Sequence, residues 1–236
     1  MKNRRDKFHA SRSLGPRTTP SPESMDKMLR AAQIQLNPNQ LDRLWKYHQL
    51  IRKRNEDREL TRIVGFEPMV LKHYIDCMIV AQHWKIPSPV VDVGSGAGFP
   101  GIPLKILLPS LKMILAEPRP KRIDFLNEVI SALGLKDIEV FEHKVVSRSF
   151  TTPVKAVITR AVETMDKTAL RTSAALEMHG QLIFMKGPNA DDEIKEMAKR
   201  FKNQFKMLLD KPYTLPHSPH ERRLVVFEKT APIDPA

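Results

Sequence analysis

Four glycines within eight residues form the segment that most constrains how this chain can fold. They are Gly94, Gly96, Gly98 and Gly101, and the whole sequence holds only nine. Glycine adopts positive φ angles without a steric penalty and, having no Cβ, lets the backbone approach a ligand closely. An apolar run at residues 90–93 directly precedes this cluster. We therefore predict a buried strand that ends in a ligand-binding turn.

Short apolar runs alternate with helical patterns from residue 87 onwards, which is typical of a parallel sheet with crossover helices. The predicted strands are Val90–Val93, Met113–Ala116, Ile138–Phe141, Ala156–Thr159, Leu182–Met185, Lys206–Leu209 and Leu224–Phe227. The helix after the second strand is expected to stop at Gly134. The pattern predicts an α/β domain at residues 87–230, with a mostly parallel, doubly wound, seven-stranded sheet and helices on both faces.

The segment before this domain has helical signals. Ser21-Pro22 and Asn37-Pro38 each place a capping residue before a proline at the first helical position, and Gln40 completes a capping box. A third helix is predicted to open at Glu67-Pro68. We therefore expect an N-terminal helical cap at residues 21–86.

Positive charge dominates the composition. The 39 Lys and Arg residues exceed the 27 Asp and Glu residues and give a formal net charge of +12. Such an excess favours an anionic partner, most often nucleic acid. Residues 1–20 are basic and show no apolar periodicity, so we expect a disordered tail there and a short second tail at residues 231–236.

Several classes of protein are excluded or disfavoured. The single cysteine, Cys77, excludes an internal disulfide and a multi-cysteine metal site. No apolar run approaches the roughly 18 residues that a membrane span requires, and the basic N-terminus lacks the apolar stretch of a signal peptide. We expect a cytoplasmic monomer with no membrane partner and no metal.

The glycine loop is compatible with two classes of ligand. Gly96–Gly101 matches the dinucleotide pattern GxGxxG, which would indicate a nicotinamide-dependent oxidoreductase. That pattern begins directly after its strand, whereas Gly94 comes first here, and Pro100 and Pro103 lack the backbone N–H groups that a pyrophosphate needs. The alternative pattern DxGxGxG resembles the nucleoside-binding loop of S-adenosylmethionine-dependent methyltransferases. Glu117, after the second strand, suits either class because a carboxylate accepts two hydrogen bonds from a ribose diol.

Flanking segments sharpen the resemblance. In chain order these segments are HYID from His73, DVGSGAGFPGIP from Asp92, EPRPKR from Glu117, TRA from Thr159 and MKG from Met185. Together they resemble the bacterial 16S rRNA (guanine-N7) methyltransferase G family, also called glucose-inhibited division protein B, over about residues 29–229. The resemblance implies a Rossmann-like class I methyltransferase fold and S-adenosylmethionine as cofactor. It also implies methyl transfer to N7 of a guanine in the decoding-region loop of 16S rRNA, either as free rRNA or in the 30S ribosomal subunit.

The resemblance also assigns residues to the cofactor. They are Gly94, Ser95, Gly96, Gly98, Phe99, Glu117, Val145, Val146 and Arg160. The two valines fall where the family contacts the adenine ring. The family usually carries an acidic pair there, and Val145-Val146-Ser147 lacks that carboxylate contact. The family's NxxxxLT stretch is present from Asn55 to Thr61 with one extra residue.

Basic and polar residues near the expected ligand edge of the sheet are candidates for rRNA binding. They are His73, Asp76, Arg119, Lys121, Arg122, Arg160 and Lys186. His73 and Asp76 are three apart on one helical face, close enough to hydrogen-bond, an arrangement that also fits a structural pair. Arg222 and Arg223, at the start of the last strand, are predicted to lie at the surface.

No catalytic acid or base is predicted. Guanine N7 carries a free lone pair and loses no proton on methylation, so alignment of the reacting atoms is sufficient. Three alternatives stay open: a methyltransferase with another acceptor, a nicotinamide-dependent oxidoreductase, and a catalytically silent RNA-binding relative.

Overall fold

A computed structural model describes residues 18–146, 149–150, 152–160 and 162–233. Residues 1–17 of the predicted basic tail lie outside this part of the chain, and residues 18–20 are exposed. Ser147 and Ala161 of the predicted motifs also lie outside it, as do residues 234–236 of the predicted C-terminal tail.

Seven strands form one sheet. They are β1 (Val90–Val93), β2 (Met113–Ala116), β3 (Ile138–Phe141), β4 (Val154–Arg160), β5 (Leu176–Lys186), β6 (Phe205–Thr214) and β7 (Glu221–Lys229). Their order is β3-β2-β1-β4-β5-β7-β6. The first five strands are parallel, while β7 runs antiparallel to β5 and to β6. The chain reverses its direction of winding between β1 and β4, which is where an α/β sheet opens a crevice for a ligand.

All seven predicted strands are confirmed, and the first three have the predicted ends. The last four are longer than their apolar runs. In β6 and β7 the extra residues, such as Asp210, Lys211 and Glu221, pair through the backbone in an antiparallel ribbon at the edge of the sheet. Polar side chains are tolerated there because one side of such a ribbon faces water, so the apolar pattern alone underestimates its length.

The helices lie on both faces of the sheet. They are α1 (Pro22–Ala31), α2 (Pro38–Arg58), α3 (Phe66–Met69), a π-helical segment (Val70–Ile75), α4 (Asp76–Met78), α5 (Val80–His83), α6 (Gly101–Leu107), α7 (Pro120–Leu133), α8 (Met165–Thr172) and α9 (Asp191–Arg200). Apolar residues of α1, α2, α6 and α7 share one buried cluster, and those of α8 and α9 share another across the sheet. None of the described helices has the length and apolar composition that a membrane crossing requires.

The predicted helix starts are nearly all confirmed. Ser21 Oγ accepts a hydrogen bond from the Ser24 backbone at 3.1 Å. The third helix begins at Phe66, one residue before the predicted opening, because Gly65 occupies the capping position. The helix after β2 ends at Gly134, whose φ is +57°.

The capping box at Asn37 also fastens the helical cap to the rest of the chain. Asn37 Oδ1 accepts from the Gln40 backbone at 2.9 Å, and Gln40 Oε1 accepts from the Asn37 backbone at 2.9 Å. The Gln40 amide nitrogen donates to the carbonyls of Ile106 and Leu107 at 2.8 and 3.0 Å. One side chain thus serves the start of α2 and the end of α6. The division of the chain at residue 86 stays a prediction.

Replacing Asn37 with Ala is expected to lower the free energy of unfolding by about 1 kcal/mol, because the Gln40 N–H loses its side-chain acceptor. Urea unfolding measures the change. The matched control is Asn39→Ala in the same turn, whose exposed side chain makes no hydrogen bond to the described residues. Equal losses in the two variants would contradict the capping role.

Candidate functional site

Two adjoining cavities open beside the carboxyl ends of β1, β2 and β4. The histidine cavity, of about 410 Å³, is lined by Leu60, Ile63, Lys72, His73, Asp76, Gly94, Ser95, Gly96, Ala97, Phe99, Arg160, Met185, Lys186, Gly187 and Arg222. The glutamate cavity, of about 470 Å³, is lined by Val93, Gly94, Ala116, Glu117, Pro118, Arg119, Arg122, Lys144, Val145, Arg160, Val162, Glu163 and Arg171. Gly94 and Arg160 line both, so the two cavities meet at these residues.

The glycine loop lies where the two cavities meet, and Gly94 lines both of them. Gly94, Gly96 and Gly98 have φ angles of +74°, +60° and +103°. A Cβ on Gly94 would lie 2.6 Å from a methyl of Val162, whereas one on Gly96 would meet nothing closer than 3.5 Å. At Gly98 a Cβ would lie 2.5 Å from Ile102. The backbone conformation therefore favours glycine at all three positions, and close packing also excludes a side chain at Gly94 and Gly98.

Asp92 holds the far end of this loop. Its Oδ2 accepts from the Gly101 backbone at 2.9 Å, and a Cβ on Gly101 would lie 2.8 Å from that oxygen. Burial raises the pKa of Asp92 to about 7. Ser95 Oγ donates to the Asp92 carbonyl at 2.9 Å and is buried. Ser95, predicted to bind the cofactor, lines the histidine cavity, and its hydroxyl is engaged within the loop.

Glu117 is oriented by the backbone. One carboxylate oxygen accepts from the Gly96 N–H at 2.9 Å and the other from the Arg119 N–H at 3.1 Å. The side chain is buried and lines the glutamate cavity. Each carboxylate oxygen can accept a second hydrogen bond, so this carboxylate is preorganised to bind a diol.

Arg160 connects β4 with the helical cap. Its Nη1 donates to the Lys72 carbonyl at 2.9 Å and lies 3.4 Å from Asp76 Oδ2, while its Nη2 lies 3.3 Å from His73 Nδ1. Its guanidinium also lies 5.2 Å from the centre of the Phe99 ring. The π-helical segment carries both Lys72 and His73, and such segments are frequent at functional sites.

His73 is held as a neutral ring. Burial, and then the Arg160 charge, lowers the pKa of His73 to about 3. Because Arg160 can only donate, Nδ1 is the acceptor, and Nε2–H donates to Thr61 Oγ1 at 2.8 Å. The ring stacks on Phe99 with centres 4.3 Å apart. Asn55 fixes Thr61 in turn through two hydrogen bonds of 2.8 and 2.9 Å, which explains the spacing of the Asn55-to-Thr61 motif.

The contacts of this cluster differ from those that local spacing suggests. His73 and Asp76 do not hydrogen-bond to each other among the described contacts, because Arg160 lies between them and binds both. Arg222 is not a free surface residue, since its Nε lies 3.1 Å from Asp76 Oδ1. Arg223 is likewise bound, to Asp210 at 2.6 Å and to Asp191. Their carboxylate partners are too distant in sequence for local spacing to reveal the pairs.

The candidate RNA-binding cations divide into two groups. Arg119 and Lys121 are exposed at the start of α7. Arg122 lies 3.9 Å from Glu117 and donates to a backbone carbonyl in the helical cap. Lys186 pairs with Glu193 at 2.7 Å and is mostly buried. Arg122, Arg160 and Lys186 are thus engaged inside the protein, and only the first group presents its charge to solvent.

Sequence reasoning missed one wall of the glutamate cavity. Val162, Glu163 and Arg171 line it opposite the glycine loop residues, together with the predicted Val145. Val145 is buried, and its carbonyl accepts from Arg171 Nη1 at 2.8 Å, whereas Val146 is 53% exposed. One sequence signal could have indicated this wall, because Glu163 follows the carboxyl end of β4. The described residues contain no cluster of three or more His, Cys, Asp or Glu side chains that could bind a metal.

Comparison with known proteins gives consistent matches. Residues 40–224 match the family model GidB, described as rRNA small subunit methyltransferase G. The protein named ribosomal RNA small subunit methyltransferase G 2 of Syntrophobacter fumaroxidans is 45% identical over 92% of this chain and 44% of its own length. The protein of the same name in Bdellovibrio bacteriovorus is 37% identical over 81% of this chain and 74% of its own length. The chain thus spans less than half of the first relative and about three quarters of the second.

The fold has a counterpart among solved structures. A SAM-dependent methyltransferase from Aquifex aeolicus superposes with a TM-score of 0.50 at 16% identity, covering 70% of this chain and 94% of that one. Together with the sheet order, this likeness confirms the predicted Rossmann-like class I methyltransferase fold.

Replacing His73 with Gln is expected to reduce the loss of stability on acidification. The pKa of His73 drops from 6.5 to about 3 on folding, so the unfolded chain takes up the extra proton between these values. Each pH unit below 6.5 therefore favours unfolding by up to about 1.4 kcal/mol through this residue, and the variant lacks that contribution. Urea unfolding at about pH 7 and about pH 5 measures the difference. His143→Gln, at an exposed position, should follow the wild type; the same pH dependence in His73→Gln would refute the assignment.

Proposed function

Because the chain belongs to the rRNA small subunit methyltransferase G family, we propose that it transfers a methyl group from S-adenosylmethionine to N7 of a guanine in 16S rRNA. The predicted enzyme class and cofactor agree with this family. The observation that carries the proposal is the junction of two cavities at Gly94 and Arg160, since a methyl transferase must bind a nucleoside cofactor and an acceptor base side by side.

The residues of the glutamate cavity fit this cofactor. Glu117, fixed by two backbone N–H groups, suits the ribose diol, and the valine wall suits the adenine ring. We therefore assign the cofactor to this cavity and the acceptor base to the histidine cavity.

The same loop is unsuited to a dinucleotide. A pyrophosphate binds free backbone N–H groups at the start of the helix. Here these groups are already bonded within the loop, at Gly98 to Ser95 (2.7 Å), Phe99 to Ser95 (2.8 Å), Gly101 to Asp92 (2.9 Å) and Ile102 to Gly98 (2.8 Å). S-adenosylmethionine has no phosphate, so the engaged N–H groups disfavour the oxidoreductase alternative and leave the methyltransferase unaffected.

Catalysis on this proposal depends on positioning. When bound, S-adenosylmethionine supplies a methyl group on a positively charged sulfonium. The chain needs no base, because guanine N7 attacks with a free lone pair. His73 supports this interpretation, since both its ring nitrogens are engaged and its pKa is low. The stacked His73 and Phe99 rings and Arg160 act by shaping the acceptor cavity and aligning the two substrates.

Exposed cations at the start of α7 are proposed to bind the rRNA backbone. Arg119 lines the glutamate cavity and Lys72 the histidine cavity, while Lys121 is exposed two residues beyond Arg119, with its Nζ 3.5 Å from the Asp57 carbonyl. Arg122, Arg160 and Lys186 are proposed to position substrates, since their charges are matched by carboxylates or carbonyls. The 16S rRNA or 30S subunit as partner, the monomeric state and the cytoplasmic location remain proposals.

The decisive experiment supplies labelled S-adenosylmethionine with unmodified 16S rRNA or 30S subunits, followed by digestion to nucleosides. We expect the label in 7-methylguanosine. Label in another nucleoside would indicate a different acceptor. Cofactor binding without transfer to either substrate would indicate a silent RNA-binding relative.

Replacing Gly94 with Ala is expected to weaken S-adenosylhomocysteine binding by about tenfold or more, equal to about 1.4 kcal/mol. The added methyl would lie 2.6 Å from Val162, so this side chain, which lines the cavity beside Gly94, would have to move. Isothermal titration calorimetry measures the affinity. Gly134→Ala has similar backbone strain at φ +57°, but no heavy atom lies within 4 Å of its Cβ, so it should lose stability and keep its affinity. An unchanged affinity in Gly94→Ala would overturn the assignment of the cavity.

Replacing Lys121 with Gln is expected to weaken binding to 16S rRNA and to reduce the slope of log affinity against log salt by about 0.7–0.9, the effect of one lost phosphate contact. Filter binding over a range of KCl concentrations measures both. Lys206→Gln, at an exposed position on the edge strand β6, serves as the control. The same slope in both variants would exclude Lys121 from the phosphate contacts.

A further inference from the structure

The glutamate cavity has a second carboxylate that the glycine loop does not bind. Glu117 follows β2, and Glu163 follows β4, so the two acids enter the cavity from different strands. Both Glu117 oxygens accept backbone N–H groups. The hydrogen bonds of Glu163 differ from those of Glu117 and leave Glu163 available for a separate role.

Only one of the two carboxylate oxygens of Glu163 accepts hydrogen bonds from the described residues. Its Oε1 accepts from Arg171 Nε at 3.0 Å, from Arg171 Nη2 and from Thr168 Oγ1 at 3.2 Å. Its Oε2 accepts no hydrogen bond from the described residues, and the side chain is 25% exposed. Three donors on one oxygen fix the carboxylate and leave the other oxygen as an oriented acceptor.

The backbone around Glu163 is also fixed. Lys186 Nζ donates to the Glu163 carbonyl at 2.8 Å and pairs with Glu193 at 2.7 Å. Glu193 in turn accepts from the Met165 backbone at 3.0 Å. Arg171 joins the carboxylate to the loop after β3 by donating to the Val145 carbonyl. Glu163 is therefore positioned by three elements, which suits a residue that selects a ligand by geometry.

Apolar surface lies on the same side of the cavity. Val162 and Val145 both line the cavity, Val162 with 42% of its surface exposed and Val145 buried. A planar ring would cover this surface and gain hydrophobic free energy. The segment Val145-Val146-Ser147 supplies no carboxylate, so Glu163 is the acid on the valine side.

We propose that Glu163 selects adenine in the cofactor by accepting a hydrogen bond from its exocyclic amino group. This inference rests on the proposed function and adds a specificity residue to it. A carboxylate accepts from the amino group of adenine, but it repels the carbonyl that hypoxanthine carries at the same ring position. In Glu163→Gln the amide oxygen is expected to keep the Arg171 and Thr168 donors, so the amide nitrogen, a donor, faces the base and suits the hypoxanthine carbonyl better than the adenine amino group.

The test compares the affinities of S-adenosylhomocysteine and S-inosylhomocysteine by calorimetry. We expect the wild type to prefer the adenine compound by about tenfold or more, because a hydrogen bond to a charged group contributes about 1.5–3 kcal/mol. Glu163→Gln is expected to lose this preference or to reverse it, because a donor then faces the base. The matched control is Asp166→Asn, three residues further along the chain at the start of α8, which removes a carboxylate paired with Arg200 at 2.7 Å outside the cavity and should keep the wild-type ratio.

The outcomes separate this inference from the proposed function. A wild type that binds neither compound would overturn the proposed function, and this inference with it. A Glu163→Gln variant that binds the adenine compound and keeps the wild-type ratio would overturn the role of Glu163 alone. If Glu163→Gln does not fold, Glu163→Asp gives the answer. It keeps the charge but withdraws the carboxylate by about 1.5 Å, one carbon–carbon bond, so an unchanged ratio there would also overturn the inference.

Discussion

The Arg160 guanidinium is the interaction on which the arrangement of both cavities depends. It extends from the end of β4 and reaches the Lys72 carbonyl, His73 and Asp76 of the helical cap. Asp76, in turn, binds Arg222 of β7. Three separate parts of the sequence therefore meet at one buried charge cluster. Removing one partner of a buried ion pair generally costs about 3–5 kcal/mol, because an uncompensated charge remains. The cluster thus stabilises one relative placement of cap and sheet, and with it the wall shared by the two cavities.

Local sequence patterns were sufficient for the strands of the sheet and the glycine turn. The runs that became β1, β2 and β3 are short, β1 and most of β2 are buried, and the ends of all three coincide with the ends of the apolar pattern. The need for glycine at positions 94 and 98 arises within the loop and its neighbours. The glycine turn could therefore also be predicted from the sequence. The capping signals at Ser21 and Asn37 were equally local.

Contacts between distant segments were not predictable from one sequence. Arg222 was predicted at the surface because nothing near it in the chain marks Asp76 as its partner, 146 residues away. The spacing of His73 and Asp76 allows them to bind each other, but Arg160 from β4 lies between them. Glu163 was missed because no motif contains it, although it follows β4. The cations near the site show the same limit, since Lys186 and Arg122 look available in sequence and are occupied in the fold.

The side chain of Gln40 has a consequence for how this molecule unfolds. It completes the first turn of α2 and satisfies the last carbonyls of α6, so neither helix end is complete without the other. The buried cluster around it is also continuous from Met25 to Val226. Unfolding of the helical cap would expose apolar surface of the sheet domain and leave the carbonyls of Ile106 and Leu107 without their donor. The helical cap and the sheet should therefore unfold in one cooperative transition, with α1 and α2 as part of the same folding unit as the sheet and not as an independent module.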